Sequence, residues 1–159
     1  MAAAGDPVRA AVPADAARVA HVIRSAFEQY RGALEPPSGA LTVDAAAVQE
    51  LMELGGILVC EGGGQIVASV FHRMHADHVY LGRLAVLPAF RGRGHAVRLV
   101  AAVEALAAAT GRGQVRLGVR LALPENREFF ERLGYRQIGL ASHAGSPVPT
   151  FACFAKQVG

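Results

Sequence analysis

The segment that most constrains the fold runs from Tyr80 to Ala109 and reads as strand, loop and helix in direct succession. Leu81 to Val86 is rich in β-forming residues, and Pro88 ends that pattern. From Ala96 onward, apolar residues recur every three or four positions, which is typical of one face of an amphipathic helix. The loop between strand and helix reads Phe90-Arg91-Gly92-Arg93-Gly94-His95. A glycine-rich, doubly basic loop therefore leads directly into a helix N-terminus.

This loop has the properties of an anion-binding site. The first backbone N–H groups of a helix have no partner within the helix, and the helix dipole places partial positive charge there. Gly92 and Gly94 allow the backbone to approach a ligand closely, because they carry no side chain. Arg91 and Arg93 can donate charge-assisted hydrogen bonds. We expect a diphosphate group to bind here.

Other phosphate-binding motifs fit the loop less well. A dinucleotide-binding fingerprint would begin with Gly92 and Gly94, but its third glycine position holds Val97. Arg112 and Arg116 occupy the region where a ribose-binding acid would lie. The sequence contains no G-x-x-x-x-G-K-[ST] P-loop. Taken alone, the loop is also compatible with an ordinary strand-to-helix turn that carries surface arginines.

Length and composition indicate a single globular domain. The chain has 159 residues, 52% of them hydrophobic, and no apolar run reaches the length of a membrane span. Its first residues lack the basic and apolar segments of a signal peptide, so we expect a cytoplasmic protein that does not bind membranes. The net charge of +3 suits an anionic cofactor. The arginines are scattered without interleaved aromatic residues, so we expect no nucleic-acid binding.

The cysteine and histidine patterns predict no metal site. Cys60 and Cys153 are isolated, which is typical of buried thiols in a cytosolic chain. His72, His75 and His78 recur every three residues, but a strand-to-turn segment would direct their side chains apart. We therefore expect these histidines to lie on a solvated turn.

Hydrophobic periodicity and turn residues predict the element order β-α-α-β-β-β-α-β-α-β-β. Besides the central segment, strands are predicted at 8–12, 57–61, 65–71, 115–120, 135–139 and 151–155, and helices at 13–30, 42–54 and 124–133. Thr42 is the expected N-cap of the second helix. This order predicts one α/β (α+β) domain over about residues 8–156, with a mixed central sheet and helices on both faces.

Two motifs resemble those of the GNAT N-acetyltransferase superfamily. Arg91-x-x-Gly94-x-Ala96, directly after a strand, resembles the family's acyl-CoA-binding signature, in which Gln or Arg, Gly, and Gly or Ala have this spacing. The segment from Asn126 to Tyr135 resembles the family segment in which an asparagine precedes F-Y-E-K-L-G-F. The resemblance covers almost the whole chain. It implies the GNAT fold, in which two central parallel strands splay apart and bind coenzyme A.

The resemblance implies acetyl-CoA as the cosubstrate. Main-chain groups of Leu84, Ala85 and Val86 would contact its pantetheine arm. The pyrophosphate would be held by the loop and the first helical residues, Arg91, Gly92, Arg93, Gly94, His95 and Ala96. The far side of the arm would be flanked by residues of the second motif, Asn126, Phe129, Phe130 and Arg132. For Phe129, simple core packing is an equal alternative.

One position departs from the family pattern. Many members carry a tyrosine where this chain has Phe130, and the hydroxyl is placed to protonate the departing CoA thiolate. Phenylalanine has no proton to donate. Either another group replaces it, with Tyr30, Tyr80 and His143 as candidates, or none is needed. The CoA thiol has a pKa near that of cysteine, about 8.5, so unassisted departure is chemically tolerable.

The expected reaction is direct transfer of an acetyl group from acetyl-CoA to a primary amine in a ternary complex, an N-acyltransferase reaction of the EC 2.3.1 type. A backbone N–H near Val86 would polarise the thioester carbonyl. His143 is the first candidate for the base that deprotonates the amine, with Glu28 second. Tyr30 is the remaining catalytic candidate.

The acceptor is expected to be a small amine or an amino-acid-like compound. The loops at 34–41 and 142–149 contain Glu35 as their only acid, so they do not attract a polycation. Two other classes stay open. A CoA-binding sensor without catalysis is favoured by Phe130, and a nucleotide- or nucleic-acid-binding module is supported by the arginine loop alone. Homodimerisation through the terminal strands is compatible with such a fold.

Overall fold

Seven β-strands in residues 7–159 form one mixed sheet. The computed structural model describes these residues, and its strands are β1 (Val8–Ala10), β2 (Gly56–Gly62), β3 (Gln65–Met74), β4 (Val79–Val86), β5 (Gln114–Arg120), β6 (Arg136–Ala141) and β7 (Phe151–Gln157). The α-helices are α1 (Ala16–Phe27), α2 (Ala45–Leu54), α3 (His95–Ala109) and α4 (Pro124–Arg132). Within the same range, every helix is too short or too polar to cross a bilayer. The prediction about a signal peptide falls partly on residues 1–6, which lie outside this description.

The sheet has the strand order β1-β2-β3-β4-β5-β7-β6. Every neighbouring pair is antiparallel except β4 and β5, which run parallel. Their pairing is limited to Val79 with Val115 and Tyr80 with Arg116. On its other side, β4 remains paired with β3 as far as Val86. The sheet is therefore open between β4 and β5 along most of their length.

Each face of the sheet carries its own apolar core, because side chains alternate between the faces along a strand. Val59 and Cys60 are neighbours in β2 and are buried in different cores. α1 and α2 cover one face, where the buried residues include Val19, Ile23, Val48, Ile57 and Phe71. α3 covers the other face, where they include Val79, Leu99, Val100, Val103 and Phe154. Helices on both faces thus enclose the sheet and fix the position of the opening between β4 and β5.

The predicted element order and the mixed sheet between helices are confirmed. The prediction that Thr42 caps the second helix is wrong. Thr42 ends a short 3₁₀ turn, Gly39–Thr42, and α2 begins only at Ala45. Its N-cap is Asp44, whose extended backbone lets Oδ1 accept a hydrogen bond of 2.9 Å from the backbone N–H of Ala47. The 3₁₀ turn places Thr42 too far back along the chain to reach the first turn of α2.

We expect Asp44→Ala to lower the free energy of unfolding by about 1 kcal/mol, because it removes the N-cap of α2. Thr42→Ala is the matched control, since Thr42 is also exposed and its hydroxyl donates only to the carbonyl of Gly39. Urea denaturation of the two variants measures the difference. A larger loss from Thr42→Ala than from Asp44→Ala would contradict the assignment of the cap.

Candidate active site

A β-bulge interrupts β4 beside the opening in the sheet. The pairing of β4 with β3 shifts by one residue between Gly82 and Ala85, so Arg83 and Leu84 lie opposite a single residue of β3. Within residues 7–159, Arg83 is the only non-glycine residue with a positive φ, at 52°. Such a backbone conformation costs about 1–3 kcal/mol. The bulge bends β4 at the place where it separates from β5.

A cavity of about 550 Å³ lies where the two strands part. Its walls come from β4, β5, the loop before α2, α4 and the segment leading into β7. The apolar lining includes Phe27, Leu51, Phe71, Leu123, Phe130 and Phe151, and the polar side chains are those of Ser38, Tyr80, Arg83, Arg120, Asn126 and His143. Segments that are distant in sequence therefore meet at the opening between the strands.

The predicted phosphate loop leads into α3 as expected. Gly92 and Gly94 have φ values of 75° and 85°, a region that favours glycine. Gly94 is the N-cap of α3, and no side chain caps this helix. The first turn of α3 therefore presents backbone N–H groups at the positive end of the helix dipole. The local backbone is suited to an anion, with the main chain as its principal donor.

The arginine side chains around this loop make contacts within the protein. Nη2 of Arg91 donates to the carbonyl of Ala26, at 3.1 Å, and so ties the loop to the end of α1. The guanidinium of Arg93 lies 5.0 Å from the ring centroid of Phe90. His95 is buried, and its Nδ1 lies 2.7 Å from Nη2 of Arg98. These contacts hold the loop in shape and leave Gly92 and Gly94 to provide close backbone approach.

The predicted residues of α4 separate into two groups. Asn126 and Phe130 line the cavity. Phe129 packs against the core on the α3 face and contacts Phe130 edge to face, with 5.0 Å between ring centroids. Arg132 is exposed and lies 3.6 Å from a carboxylate oxygen of Glu128. The structure thus brings Asn126 and Phe130 to the cavity, whereas Arg132 lies on the surface.

Of the three catalytic candidates, His143 lines the cavity. Its Nδ1 is hydrogen-bonded to Oγ1 of Thr150, and its ring packs edge to face on Phe151. Desolvation, and then the charge of Arg120, lowers the pKa of His143 below its usual value. The imidazole is therefore neutral at pH 7, which is the form that can accept a proton.

Tyr30 and Glu28 occupy different surroundings. Burial, the largest influence, raises the pKa of Tyr30 above its usual value, and the side chain of Asn126 opposes this shift. Asn126 lines the cavity, whereas Tyr30 is not among the lining residues. Glu28 is exposed and pairs with Arg31 in a two-bond contact, which lowers the pKa of Glu28. Tyr80 lines the cavity directly, and burial raises the pKa of its phenol.

Arg83 and Arg120 are cavity residues that sequence reasoning missed. A Cβ atom at position 39 would lie 3.0 Å from Nη2 of Arg83, so the guanidinium lies against Gly39. Nη1 of Arg120 donates to the carbonyl of Pro36 at 2.8 Å. Both arginines thus face the loop before α2. The available signal was an arginine near the carboxyl end of each of two adjacent parallel strands, a common location for ligand-binding groups.

The prediction that all three histidines lie on a solvated turn is wrong for His72, which is within β3, whereas His75 and His78 follow the end of that strand. The rings of His75 and His78 stack with 4.5 Å between centroids, and Nδ1 of His78 lies 2.7 Å from a carboxylate oxygen of Asp77. His72 is directed elsewhere, against Gly56. In the described part of the chain, no group of three His, Cys, Asp or Glu side chains is arranged to hold a metal ion.

Residues 20–135 match the family model described as the acetyltransferase (GNAT) family. The chain therefore belongs to the GNAT acetyltransferase family, whose enzymes are acyl-CoA N-acyltransferases that use acetyl-CoA. The family that the two motifs resemble is thus confirmed. Among curated protein sequences, none matches the chain significantly.

Solved structures with the same fold span nearly the whole chain. A GCN5-related N-acetyltransferase from Rhodopseudomonas palustris has a TM-score of 0.79 and 22% identity, and the match covers 99% of each chain. The PaiA N-acetyltransferase from Thermoplasma acidophilum, solved in complex with coenzyme A, has a TM-score of 0.77 and 14% identity over 95% of this chain and 98% of that one. The ribosomal-protein-S18-alanine N-acetyltransferase from Escherichia coli has a TM-score of 0.76 and 15% identity over 96% and 93%. At these identities the likeness shows the fold.

We expect Gly94→Ala to lower the free energy of unfolding by about 1 kcal/mol, because alanine is strained in the left-handed conformation of this N-cap. Gly113→Ala is the matched control. Gly113 lacks a positive φ, and a Cβ atom there meets open space, so its stability should change by less than about 0.5 kcal/mol. Equal stability of the two variants in thermal denaturation would contradict the strained geometry.

Proposed function

We propose that this protein transfers the acetyl group of acetyl-CoA to the primary amine of a small molecule by direct attack in a ternary complex. The observation that carries the proposal is the opening between β4 and β5, which lies beside a cavity lined by both strands. The glycine-rich N-terminus of α3 follows β4 in the chain. Membership of the GNAT family supplies the reaction class. The cavity, at about 550 Å³, is of a size that takes a small acceptor together with the acyl end of the cosubstrate.

The residues around the opening fit coenzyme A. Beyond Tyr80, the edge of β4 that faces β5 makes no strand pairs, so main-chain groups of Leu84, Ala85 and Val86 are available to an extended pantetheine arm. The turn from Arg91 to Ala96 would hold the pyrophosphate with backbone N–H groups. Asn126, Phe129 and Phe130 would flank the other side of the arm. Acetyl-CoA, when bound, supplies an activated acyl thioester for attack by a neutral amine.

We propose His143 as the general base. It lines the cavity, it is neutral at pH 7, and its ring is held by Thr150 and Phe151. These properties suit a group that accepts a proton from the acceptor ammonium. A backbone N–H near Val86 would polarise the acyl carbonyl. Glu28 stays a weaker prediction, because its carboxylate is engaged by Arg31 on the surface.

The leaving thiolate needs a proton that Phe130 cannot supply. Phe130 lines the cavity at the position of the family's tyrosine and has no proton to give. Tyr80 lines the cavity, and burial raises the pKa of both Tyr80 and Tyr30, so both phenols are protonated at pH 7. Phe130 is also the observation that supports the second candidate function, a CoA-binding regulator with little catalysis. Turnover of any amine separates the two functions.

Homodimerisation through the terminal strands stays a prediction.

The nucleotide preference of the protein tests the cofactor proposal. We expect acetyl-CoA and CoA to raise the melting temperature by about 5–10 °C at a hundredfold excess over Kd, because they bind only the folded state. NADPH and ATP at the same concentration should change it little. Thermal denaturation measures all four, and a larger rise with NADPH would contradict the proposal.

A pair of glycine variants tests where CoA binds. Gly94→Glu should abolish most of the CoA-induced rise, because a carboxylate would stand at the site of the pyrophosphate. Gly113→Glu adds the same charge at an exposed glycine and should retain the full rise. Each variant is compared with itself without ligand, so a loss of intrinsic stability does not affect the result. An unchanged rise in Gly94→Glu would show that CoA binds elsewhere.

The pH dependence of kcat tests His143. We expect kcat to fall as the pH drops through the lowered pKa of His143, because the imidazolium cannot accept a proton. His143→Gln should lower kcat by about 10²–10⁴-fold and remove this acidic limb. His21→Gln, an exposed histidine on α1, is the control and should keep the wild-type profile. A wild-type kcat and acidic limb in His143→Gln would exclude the assigned role.

A further inference from the structure

The charged side chains that line the cavity are all positive. Its lining contains two guanidinium groups, those of Arg83 and Arg120, and none of the lining residues given by the structure of 7–159 is an aspartate or glutamate. Arginine stays charged at any pH at which the protein is folded. His143, the remaining titratable base in the lining, is neutral at pH 7. The cavity thus carries two positive charges and no internal counter-charge.

The position of Arg83 in the cavity requires backbone strain and desolvation of its guanidinium. Its backbone is strained at a φ of 52°, and desolvation lowers the pKa of its guanidinium. Among residues 7–159, its side chain has no hydrogen-bond or salt-bridge partner within contact distance. Gly39 leaves room for it, because a Cβ atom there would lie 3.0 Å from Nη2. A desolvated cation without a partner is stabilised when an anion binds beside it.

Arg120 adds a second donor from the facing strand. One of its nitrogens, Nη1, donates to the carbonyl of Pro36 and so fixes the position of the side chain. Arg83 and Arg120 line the same cavity. Desolvation, and then the like charge of Arg83, lowers the pKa of Arg120 below its usual value. Glu35, the acid that acts on Arg120, is exposed and forms no salt bridge with either arginine in the described structure. Arg83 thus keeps all of its guanidinium donors available to a ligand.

We propose that Arg83 and Arg120 bind an oxyanion of the acceptor, so that the acceptor is an amine that also carries a carboxylate or a phosphate ester. This inference rests on the proposed transferase function and names its substrate class. Guanidinium groups bind such oxyanions with paired, charge-assisted hydrogen bonds. Polyamines and basic peptide segments are disfavoured, because they would add like charge to the cavity. The aromatic and aliphatic lining favours an acceptor with an apolar body.

Binding of the anion would also position the amine for the transfer. In the transfer, the amine nitrogen forms a bond to the acyl carbon while the carbon–sulfur bond breaks and its electron pair leaves with sulfur. The ammonium first loses a proton to the base, and the nitrogen loses a second proton as the amide forms. The departing thiolate takes up one proton, so one proton is released overall. The two arginines would act by positioning the acceptor through its anion, so their loss should affect a neutral amine little.

The test compares acceptors that differ only in the anion. Phenylalanine, phenylalaninamide and phenethylamine form one set, and 2-aminoethyl phosphate and ethanolamine form another, with CoA thiol release as the measurement. We expect kcat/KM to be higher for the anionic member of at least one set, and the set that responds distinguishes carboxylate from phosphate. Higher kcat/KM for the amide or the simple amines in both sets would overturn the proposal.

Substitutions of the two arginines test whether they cause the preference for anionic acceptors. Arg83→Gln and Arg120→Gln should each lower kcat/KM for the anionic acceptor by about 10–100-fold, and for its neutral counterpart by less than about twofold, because one charged hydrogen-bonding partner is lost. Arg83→Lys should restore part of the loss, and Gly39→Ala should reproduce it in part by displacing the guanidinium. Arg136→Gln, an exposed arginine on β6, is the matched control. Equal losses for anionic and neutral acceptors, or loss of the acetyl-CoA-induced melting shift in Arg83→Gln, would overturn the proposal.

Failure of the transferase function can be told apart from failure of this inference. If acetyl-CoA binds but no amine in either set is acetylated, the transferase proposal is not supported. The proposed anion site is then tested by ligand binding alone. N-Acetylphenylalanine and its amide are then titrated by calorimetry into protein saturated with CoA. Tighter binding of the carboxylate, lost in Arg83→Gln, supports the anion site. Equal binding of the two compounds, or binding of neither, overturns it.

Discussion

The structure depends on the separation of two parallel strands. β4 and β5 pair at two positions and then diverge, although each stays paired with an antiparallel neighbour on its other side. The bulge at Arg83 bends β4, and Gly82 leaves space for the ring of Tyr80, since a Cβ atom there would lie 2.8 Å from Cε2 of that ring. Where two central strands of a sheet are not paired, their main-chain donors and acceptors are exposed, and a ligand with amide groups can form hydrogen bonds with them.

The two apolar cores keep this opening in place. α3 is anchored to one face by Leu99, Val100 and Val103, so its N-terminus is fixed at the end of β4 where the strands are farthest from their last pair. On the other face, Arg91 ties the loop before α3 to the carbonyl of Ala26 at the end of α1. The loop at 91–96 is therefore held from both sides of the sheet. The part of the cavity proposed for the acceptor is formed by loops whose sequence can change without changing the core.

Much of this arrangement follows from local sequence. Periodicity predicts the element order, because this signal depends on neighbours close in the chain. The glycines of the loop at 91–96 permit the left-handed turns that the structure shows. The cap of α2 was missed because the preceding 3₁₀ turn determines which polar residue reaches the helix. Arg83 was missed for a related reason. A bulge shifts the alternation of side chains by one residue, so the period of two no longer predicts which face an arginine occupies.

Hydrogen–deuterium exchange tests the central claim most directly, namely that the edges of β4 and β5 left open by their separation receive the cosubstrate. With saturating CoA, backbone amides of Leu84–Val86 and Leu117–Arg120 should exchange more slowly, because a bound arm covers these edges. Amides of β6, at the far edge of the sheet, should be unaffected and serve as the internal reference. Protection confined to other regions, with exchange in β4 and β5 unchanged, would contradict this account of the fold and of its site.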